Sequence, residues 1–346
     1  MDTLFADAIQ RLLEQHVTPA TVRAIEAGQD AGALYAALEA SGFLDALVSE
    51  AHGGAGLDLA AVHPLLHQCG YRAVPAPVAA TTIARALLRA GGDEVPTGFI
   101  TLAGTPAILH DGCITVPDIP CGRVAGWVLA ALPEGVALLP TARARQQEAR
   151  QDAHPDTHHD THAATNLRAR YTWDRAAARR VHVAADALWP LGALIATVQL
   201  AGAARRALEM TLEHAGTRQQ FGKPIGKFQA IQQQISVMAE QVCAMDMAGR
   251  LACRGDPCAP DPLAIGAGKA RASEAAAEVC AIAHAVHGAM GITAEHDLQL
   301  YTRRLLEWRT DHGSERYWQG RLGRALLAGN QSALDFMRSA LFHETA

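Results

Sequence analysis

The stretch Arg218-Gln219-Gln220-Phe221-Gly222-Lys223-Pro224-Ile225-Gly226-Lys227-Phe228-Gln229-Ala230 separates two long helical patterns, one near 185–215 and one near 228–253. The guanidinium of Arg218 is always charged, and its fork of donors pairs with two oxygens at once, which suits a pyrophosphate. Phe221 adds an aromatic ring three residues later. At this point a purely structural role, in which both side chains close a turn between two helices, is the alternative.

The chain around this stretch predicts a helical bundle. Four helical patterns run through roughly 185–215, 228–253, 262–288 and 298–340, with breaks at Gly216, at Gly255 and from Gly288 to Gly291. Alanine, leucine and methionine fill the apolar faces, as close helix packing requires. Residues 184–346 are therefore predicted to form a C-terminal four-helix bundle domain.

The earlier part of the chain shows two different patterns. Apolar residues at helical spacing, beginning with Leu4 and Ala8, predict an N-terminal helical domain over residues 1–92. Short alternating apolar pieces, such as Phe99-Ile100-Thr101-Leu102 and Ile114-Thr115-Val116, predict a reduced middle β domain over residues 93–183. The predicted fold class is mainly α with a small β domain.

A histidine- and aspartate-rich run, Arg143 to His162, lies inside the middle domain. Both residue types are metal ligands. However, the spacing of His154, His158, His159 and His162 fits no established metal-site pattern, and no apolar frame surrounds them. We expect a solvated loop here and no metal site.

Composition excludes several classes of function. The chain has 346 residues, and its 30 basic and 35 acidic side chains give a net charge of −5 without a basic stripe. This balance does not suit a nucleic-acid partner or an anionic membrane surface. Seven scattered cysteines are typical of reduced thiols, and the acidic, amphipathic N-terminus does not resemble a secretion signal. We expect a cytoplasmic protein.

One apolar stretch approaches the length of a membrane span. Residues 188–204 carry no charge, but Pro190 lies near the start, Gln199 lies inside, and Arg205 and Arg206 follow at once. A helix buried on most faces inside the bundle explains this pattern better than a membrane span.

A second motif follows in the bundle and makes a family resemblance visible. It reads His287-Gly288-Ala289-Met290-Gly291-Ile292-Thr293-Ala294-Glu295-His296-Asp297-Leu298 and ends in Tyr301-Thr302-Arg303-Arg304. Together with the stretch from Arg218 to Ala230, and with Glu50 to Leu57 near the N-terminus, it resembles the signatures of the acyl-CoA dehydrogenase family. Within that family, these motifs most resemble those of the short subunits of bacterial heteromeric acyl-CoA dehydrogenases.

The resemblance implies a cofactor, a fold and partners. It implies FAD, with Arg218, Phe221, His287, Gly288 and Ser314 as cofactor-binding residues. It also implies α,β-dehydrogenation of an acyl-CoA thioester and an electron-transfer flavoprotein or similar acceptor. The expected assembly is a homo-oligomer or a heterotetramer with a complete subunit. The resemblance also implies that the chain folds into an N-terminal helical domain, a middle β domain and a C-terminal four-helix bundle.

Several positions depart from the family pattern. The glutamine that precedes the histidine–glycine motif is Ala285, and the catalytic glutamate becomes His312 within Asp311-His312-Gly313-Ser314. The first bundle helix, where some relatives carry the base, has Ala193 at the matching place. The middle domain also lacks the stretches that usually face the flavin ring. Asp311 and Glu315 are the weaker alternative bases near His312.

Three hypotheses follow from these departures. In the first, the chain is a catalytically incomplete subunit that lends cofactor contacts to a partner holding the base. In the second, it is a structural subunit without flavin. In the third, it is a self-sufficient dehydrogenase that uses His312 or a nearby carboxylate as the base.

Overall fold

The computed structural model of the protein describes residues 2–146 and 167–342. The four histidines of the predicted solvated loop lie outside these residues. The helices are α1 (Asp2–His16), α2 (Pro19–Glu26), α3 (Gly32–Ser41), α4 (Leu59–Tyr71), α5 (Val78–Ala90), α6 (Ala185–Thr217), α7 (Gln229–Ala252), α8 (Pro262–His287), α9 (Leu298–Thr310), α10 (Glu315–Ala328) and α11 (Ala333–Phe342).

The strands are short and lie mostly in the middle of the chain. They are β1 (Ile100–Leu102), β2 (Ile108–His110), β3 (Cys113–Ile119), β4 (Trp127–Leu132), β5 (Gly135–Pro140), β6 (Arg145–Gln146), β7 (Ala169–Asp174), β8 (Arg179–Val181), β9 (Gln219–Gln220), β10 (Lys223–Pro224), β11 (Gly255–Asp256) and β12 (Ala259–Pro260).

The chain divides into two compact units. The first comprises Met1–Val62, Val74–Gly192 and Asp256–Ala259, and the second comprises His63–Ala73, Ala193–Gly255 and Pro260–Ala346. The second unit holds the sequence motifs that carry the family resemblance in the bundle. The division into three domains at residues 92 and 183 stays a prediction.

The first unit contains two four-stranded sheets. One has the order β1-β4-β5-β8, with β1 parallel to β4, and the other has the order β2-β3-β7-β6 and is antiparallel throughout. Alternate side chains of these strands form a shared apolar core of Ala107, Ile114, Val116, Ile119, Val128, Ala130, Leu132, Ala137, Leu139, Tyr171 and Trp173. The period-two patterning predicted around Ile114–Val116 is confirmed in β3, and alternate residues of β5 also enter this core, whereas β1 is buried at all three of its positions.

The second unit packs its helices closely through small residues. Helix α8 lies against α7, α9 and α10. At the contact between α4 and α6, a Cβ on Gly70 would lie 2.1 Å from the carbonyl oxygen of Gln199, and a Cβ on Gly202 equally close to that of His67. Only glycine allows these two backbones to approach so closely.

The predicted single helix over 298–340 is wrong. The structure has three helices there, α9, α10 and α11, separated at residues 311–314 and 329–332. His312 and Gly313 both adopt positive φ, which ends α9 abruptly. Apolar periodicity continues across the break, so the hydrophobic pattern alone did not reveal it.

Within residues 2–146 and 167–342, two helices are long and apolar enough to cross a membrane by length and composition alone, Ala185–Thr217 and Pro262–Ile292. Most of the apolar window of the first is buried inside the protein, and less than half of the second is buried. Burial of the first agrees with the core helix expected from the sequence.

Candidate functional site

A two-stranded hairpin carries the first group of predicted site residues. Strands β9 and β10 pair antiparallel, with Lys223 opposite Gln220 and Pro224 opposite Gln219. The two residues between them, Phe221 and Gly222, have φ of +50° and +77°, as the two-residue primed turns of hairpins require. Phe221 is 91% exposed, and its ring meets that of Phe228 edge to face at 6.1 Å.

Arg218 stands at the base of this hairpin. Its backbone N–H donates to the carbonyl oxygen of His214 at the end of α6, and its own carbonyl accepts from Ile225, each over 2.8 Å. The residue is exposed, and its guanidinium forms no ion pair with the residues that the structure describes. A fixed backbone and an unpaired fork of donors make Arg218 available to an anionic ligand.

The end of α8 carries the second group, His287 and Gly288. His287 is 5% exposed, and its Nδ1 lies 2.9 Å from the carbonyl oxygen of Ala283. Its Nε2 is buried and has no partner among the described residues. Gly288 has φ +61° and ψ −148°, a conformation that favours glycine, and turns the chain out of the helix.

The turn between α9 and α10 contains the position at which the resemblance implies the catalytic glutamate. His312 has φ +52° and Gly313 φ +100°. The buried indole of Trp318 donates from Nε1 to the carbonyl oxygen of His312 over 2.9 Å. His312 is 6% exposed, so its imidazole is enclosed by the protein.

Lys269 of α8 anchors this turn. Its Nζ, fully buried, donates to Oγ of Ser273 at 2.7 Å and to the carbonyl oxygens of Trp308 and Arg309 at 3.0 and 2.8 Å. Those carbonyls end α9 and have no intrahelical partner, so the ammonium group caps the helix. Burial lowers the pKa of Lys269, whereas the carboxylates of Asp311 and Glu315 raise it.

The two carboxylates near His312 are engaged within the protein. Asp311 is buried, and Glu315 is bonded through both oxygens to the guanidinium of Arg309. These hydrogen bonds hold the pKa of Glu315 below its usual value. Ser314, partly buried, precedes Glu315 at the start of α10.

Two of the positions that depart from the family pattern carry alanine side chains without polar groups. Ala285 is an exposed residue in the last turn of α8, and Ala193 is fully buried in α6. Neither side chain can donate, accept or hold a proton. Ala193 therefore supplies no base from the first bundle helix.

Family models match both ends of the chain. The N-terminal domain of acyl-CoA dehydrogenases matches residues 2–100, and the C-terminal domain matches residues 182–327. The chain belongs to the acyl-CoA dehydrogenase family. Members of this family are oxidoreductases that bind FAD.

Two acyl-CoA dehydrogenases named IpdE2 are similar over most of their length. The protein of Mycolicibacterium smegmatis is 28% identical over 305 residues, which cover 87% of this chain and 91% of the relative. That of Mycobacterium tuberculosis is 29% identical over 313 residues, which cover 87% and 89%.

Solved structures confirm the predicted fold class. A variant of the Tcur3481-Tcur3483 steroid ACAD superposes with a TM-score of 0.78 at 22% identity and covers 96% of this chain and 99% of its own. The ChsE4-ChsE5 complex from Mycobacterium tuberculosis gives 0.75 at 20% identity, with 96% and 98% covered. The structure of this chain has the helical regions and the small β region that were predicted from the sequence.

The predicted site residues fall into two groups organised around different neighbours. Arg218, Phe221, His287 and Gly288 lie around the end of α6, whereas Asp311, His312 and Ser314 lie in the turn that Lys269 anchors. Lys269 was not among the predicted site residues. A lysine four residues before Ser273, in an alanine-rich apolar helix, was the available signal of a buried polar contact.

Proposed function

We propose that this chain is the catalytically incomplete subunit of a heteromeric acyl-CoA dehydrogenase. It provides cofactor contacts, and a partner subunit provides the catalytic base. The observation that carries this proposal is the contrast between the exposed Arg218 and Phe221 and the buried His312 at the position of the base.

The residues around the hairpin fit a flavin dinucleotide. The unpaired guanidinium of Arg218 suits the pyrophosphate, and the exposed ring of Phe221 offers a face for the adenosine. The buried Nε2 of His287 is an unused polar atom in the same part of the molecule. When bound, FAD accepts the hydride that leaves the β-carbon of the acyl-CoA thioester.

The dehydrogenation also needs a base for the α-proton. A general base has to come within about 2.6–3.2 Å of the proton it removes. His312 is enclosed, Asp311 is buried, and Glu315 is held ionised by Arg309. Each of these groups is thereby unsuited to reach a thioester, which supports a base supplied by another chain.

Several polar groups of the β domain are engaged within the domain itself. Thr101 donates from Oγ1 to the carbonyl oxygen of Pro120 over 2.6 Å, and Gly104 donates to that of Asp118 over 2.9 Å. Arg168 binds both carboxylate oxygens of Asp118. Polar groups that are used internally are not available to a flavin ring, which supports a ring pocket supplied by the partner subunit.

The structural relatives agree with a two-chain enzyme. ChsE4-ChsE5 and Tcur3481-Tcur3483 are both named as pairs, and the second is named as a steroid ACAD. We infer an acyl-CoA with a bulky side chain as substrate and an electron-transfer flavoprotein as acceptor. Because the seven cysteines are scattered along the chain and include no Cys-x-x-Cys pair, as is typical of reduced thiols, we place the assembly in the cytoplasm.

The flavin content of the chain tests this proposal. We expect the protein purified alone to show no flavin band that bleaches on anaerobic addition of acyl-CoA. The assembly purified through a tag on this chain should contain a second acyl-CoA dehydrogenase subunit, and its flavin should bleach. A bleaching flavin in the chain alone would establish a self-sufficient dehydrogenase instead, and an assembly without flavin would establish a structural subunit.

A further inference from the structure

Three histidine rings from three different segments meet at one end of the bundle. His214 lies in the last turn of α6, His287 ends α8, and His296 lies in the loop before α9. The rings of His214 and His287 are stacked, with centroids 4.4 Å apart and planes 22° from parallel. The rings of His287 and His296 meet at 5.1 Å and 67°. We call these three rings the histidine column.

Backbone hydrogen bonds fix the neutral tautomers of two rings. Nδ1 of His287 faces the carbonyl oxygen of Ala283, which only accepts, so Nδ1 carries the hydrogen. Nδ1 of His296 lies 3.1 Å from the backbone N–H of Leu298, which only donates, so the hydrogen is on Nε2. These hydrogen bonds fix the orientation of both rings, and Nδ1 of His296 can accept from Leu298 only while it carries no hydrogen.

The column joins the segments that carry the predicted cofactor residues. The carbonyl oxygen of His214 accepts from the N–H of Arg218, and His287 directly precedes Gly288. Ile225, which directly follows the hairpin, packs with Ala215 and Val286, the neighbours in sequence of His214 and His287. Ring stacking thus links the hairpin and the loop after α8 into one surface.

We propose that the histidine column is a clamp that orders the hairpin and the loop 288–297 for cofactor binding and that opens when its rings gain protons. His214 acts in this clamp as a positioning residue. The step to cofactor retention rests on the proposed function, whereas the opening of the clamp does not.

The electrostatics of the column favour neutral rings. The pKa of His287 is lowered from 6.5 to about 4, mainly by burial. Histidines 214, 296 and 284 contribute in the same direction, and the hydrogen bond to Ala283 acts in the opposite direction. Burial also lowers the pKa of His214, and His296 and Arg218 add to that effect. Burial lowers the pKa of His284, one turn earlier on α8. Glu295 and Asp297 flank His296 in the loop.

The direction of the pH effect follows from these shifts. An imidazole with a lowered folded pKa favours the closed state above its ordinary value of 6.5, and this preference disappears as the pH falls toward about 4. If opening restores the ordinary value for His287 alone, the open fraction should rise roughly 30-fold between about pH 7.5 and about pH 5.

Amide hydrogen exchange of the chain without added flavin tests the clamp directly. After correction for intrinsic exchange rates, peptides covering residues 214–228 and 284–298 should lose protection at about pH 5 relative to about pH 7.5. His214→Phe keeps an aromatic ring and removes a titrating group, so it should reduce this loss. His214→Ala removes the stack and should raise exchange at both pH values. The exposed His110, changed to Phe, is the matched control and should behave as the wild type.

Two results would overturn the clamp. One is equal protection of these peptides at both pH values, and the other is unchanged exchange in His214→Ala. In the flavin-loaded assembly, the rate of FAD loss should rise about tenfold on acidification in the wild type and less in His214→Phe. An assembly that holds no FAD at any pH would contradict the proposed function, while the exchange result would still decide the clamp.

Discussion

The hairpin at Phe221 and the turn at His312 share a backbone conformation but place their side chains in opposite environments. Each has a non-glycine residue at positive φ followed by a glycine at positive φ: +50° and +77° in the hairpin, +52° and +100° in the turn. Phe221 is 91% exposed, whereas His312 is 6% exposed. A costly conformation presents one side chain to the outside and encloses the other.

The neighbours of each pair explain the difference. Nothing within 4 Å of Gly222 would meet an added Cβ, so the hairpin tip stands free. At the turn, Trp318 bonds the carbonyl oxygen of His312, and Lys269 holds the end of α9. The comparison teaches that the same backbone conformation leaves the Phe221 ring accessible to a ligand and places His312, at the position where the family resemblance implies a base, in a packed interior.

The largest expected effect is the loss of the Lys269 ammonium. Lys269→Met leaves the carbonyl oxygens of Trp308 and Arg309 without their buried donor and removes a charge that balances Asp311. We expect the free energy of unfolding to fall by about 3–5 kcal/mol, measured by urea denaturation. Ser273→Ala, which removes one neighbouring hydroxyl, should cost only about 1 kcal/mol. A loss below about 1 kcal/mol for Lys269→Met would show that the turn is not anchored in this way.

The next largest effect should be a loss of folding stability on acidification, through the buried His287. Because burial lowers the pKa of His287 to about 4 from 6.5, the unfolded state binds the proton first, and stability falls as the pH drops through this window. From this shift we expect His287 to contribute up to about 3 kcal/mol of stability, present in full well above pH 6.5. Thermal or urea unfolding across this range should show a shallower slope for His287→Phe. The same slope in wild type and variant would contradict a buried neutral imidazole.

Alanine substitutions at Gly222 and Gly313 should distinguish the exposed hairpin tip from the packed turn by their cost in unfolding free energy. A Cβ at Gly313 would lie 2.5 Å from Cδ1 of Tyr317 and 2.8 Å from Nε1 of Trp318, in addition to the backbone strain. We expect Gly313→Ala to cost about 2–3 kcal/mol of unfolding free energy and Gly222→Ala only about 1 kcal/mol. Equal costs would mean that the turn tolerates a side chain as easily as the hairpin does.

The smallest effect on stability should be a gain at the hairpin tip. Asparagine occupies the left-handed region more readily than phenylalanine, so Phe221→Asn should raise the unfolding free energy by about 1 kcal/mol. The same change removes the exposed ring, so we expect FAD affinity of the assembly to fall about tenfold, by titration of the apoprotein. Gln219→Asn in the adjoining strand is the control. Unchanged affinity in Phe221→Asn would remove this ring from the cofactor site.

Much of the fold followed from local sequence patterns. The predicted helices near 185–215, 228–253 and 262–288 match α6, α7 and α8 closely, because their apolar spacing and flanking glycines act locally. The break at His312 was missed because it depends on Trp318 and Lys269, which are brought to the turn by tertiary packing.

The candidate site was predictable only where a motif is continuous. Arg218 and Phe221 lie in one short run, whereas the ring of His214 meets those of His287 and His296 from a helix more than seventy residues earlier in the chain. No spacing of residues in the sequence predicts such a cluster. The burial of His312 was equally invisible, since the sequence shows the exchange of glutamate for histidine but not which way the side chain points.

The most direct test compares two substitutions in the purified assembly by following anaerobic reduction of the flavin by acyl-CoA. Arg218→Ala should lower FAD retention by about tenfold or more, since an unpaired guanidinium is lost from the anion site. His312→Asn, which tolerates the left-handed backbone, should change the rate of flavin reduction by no more than about twofold, because the partner holds the base. A loss of several orders of magnitude in His312→Asn, with flavin retained in Arg218→Ala, would contradict the account.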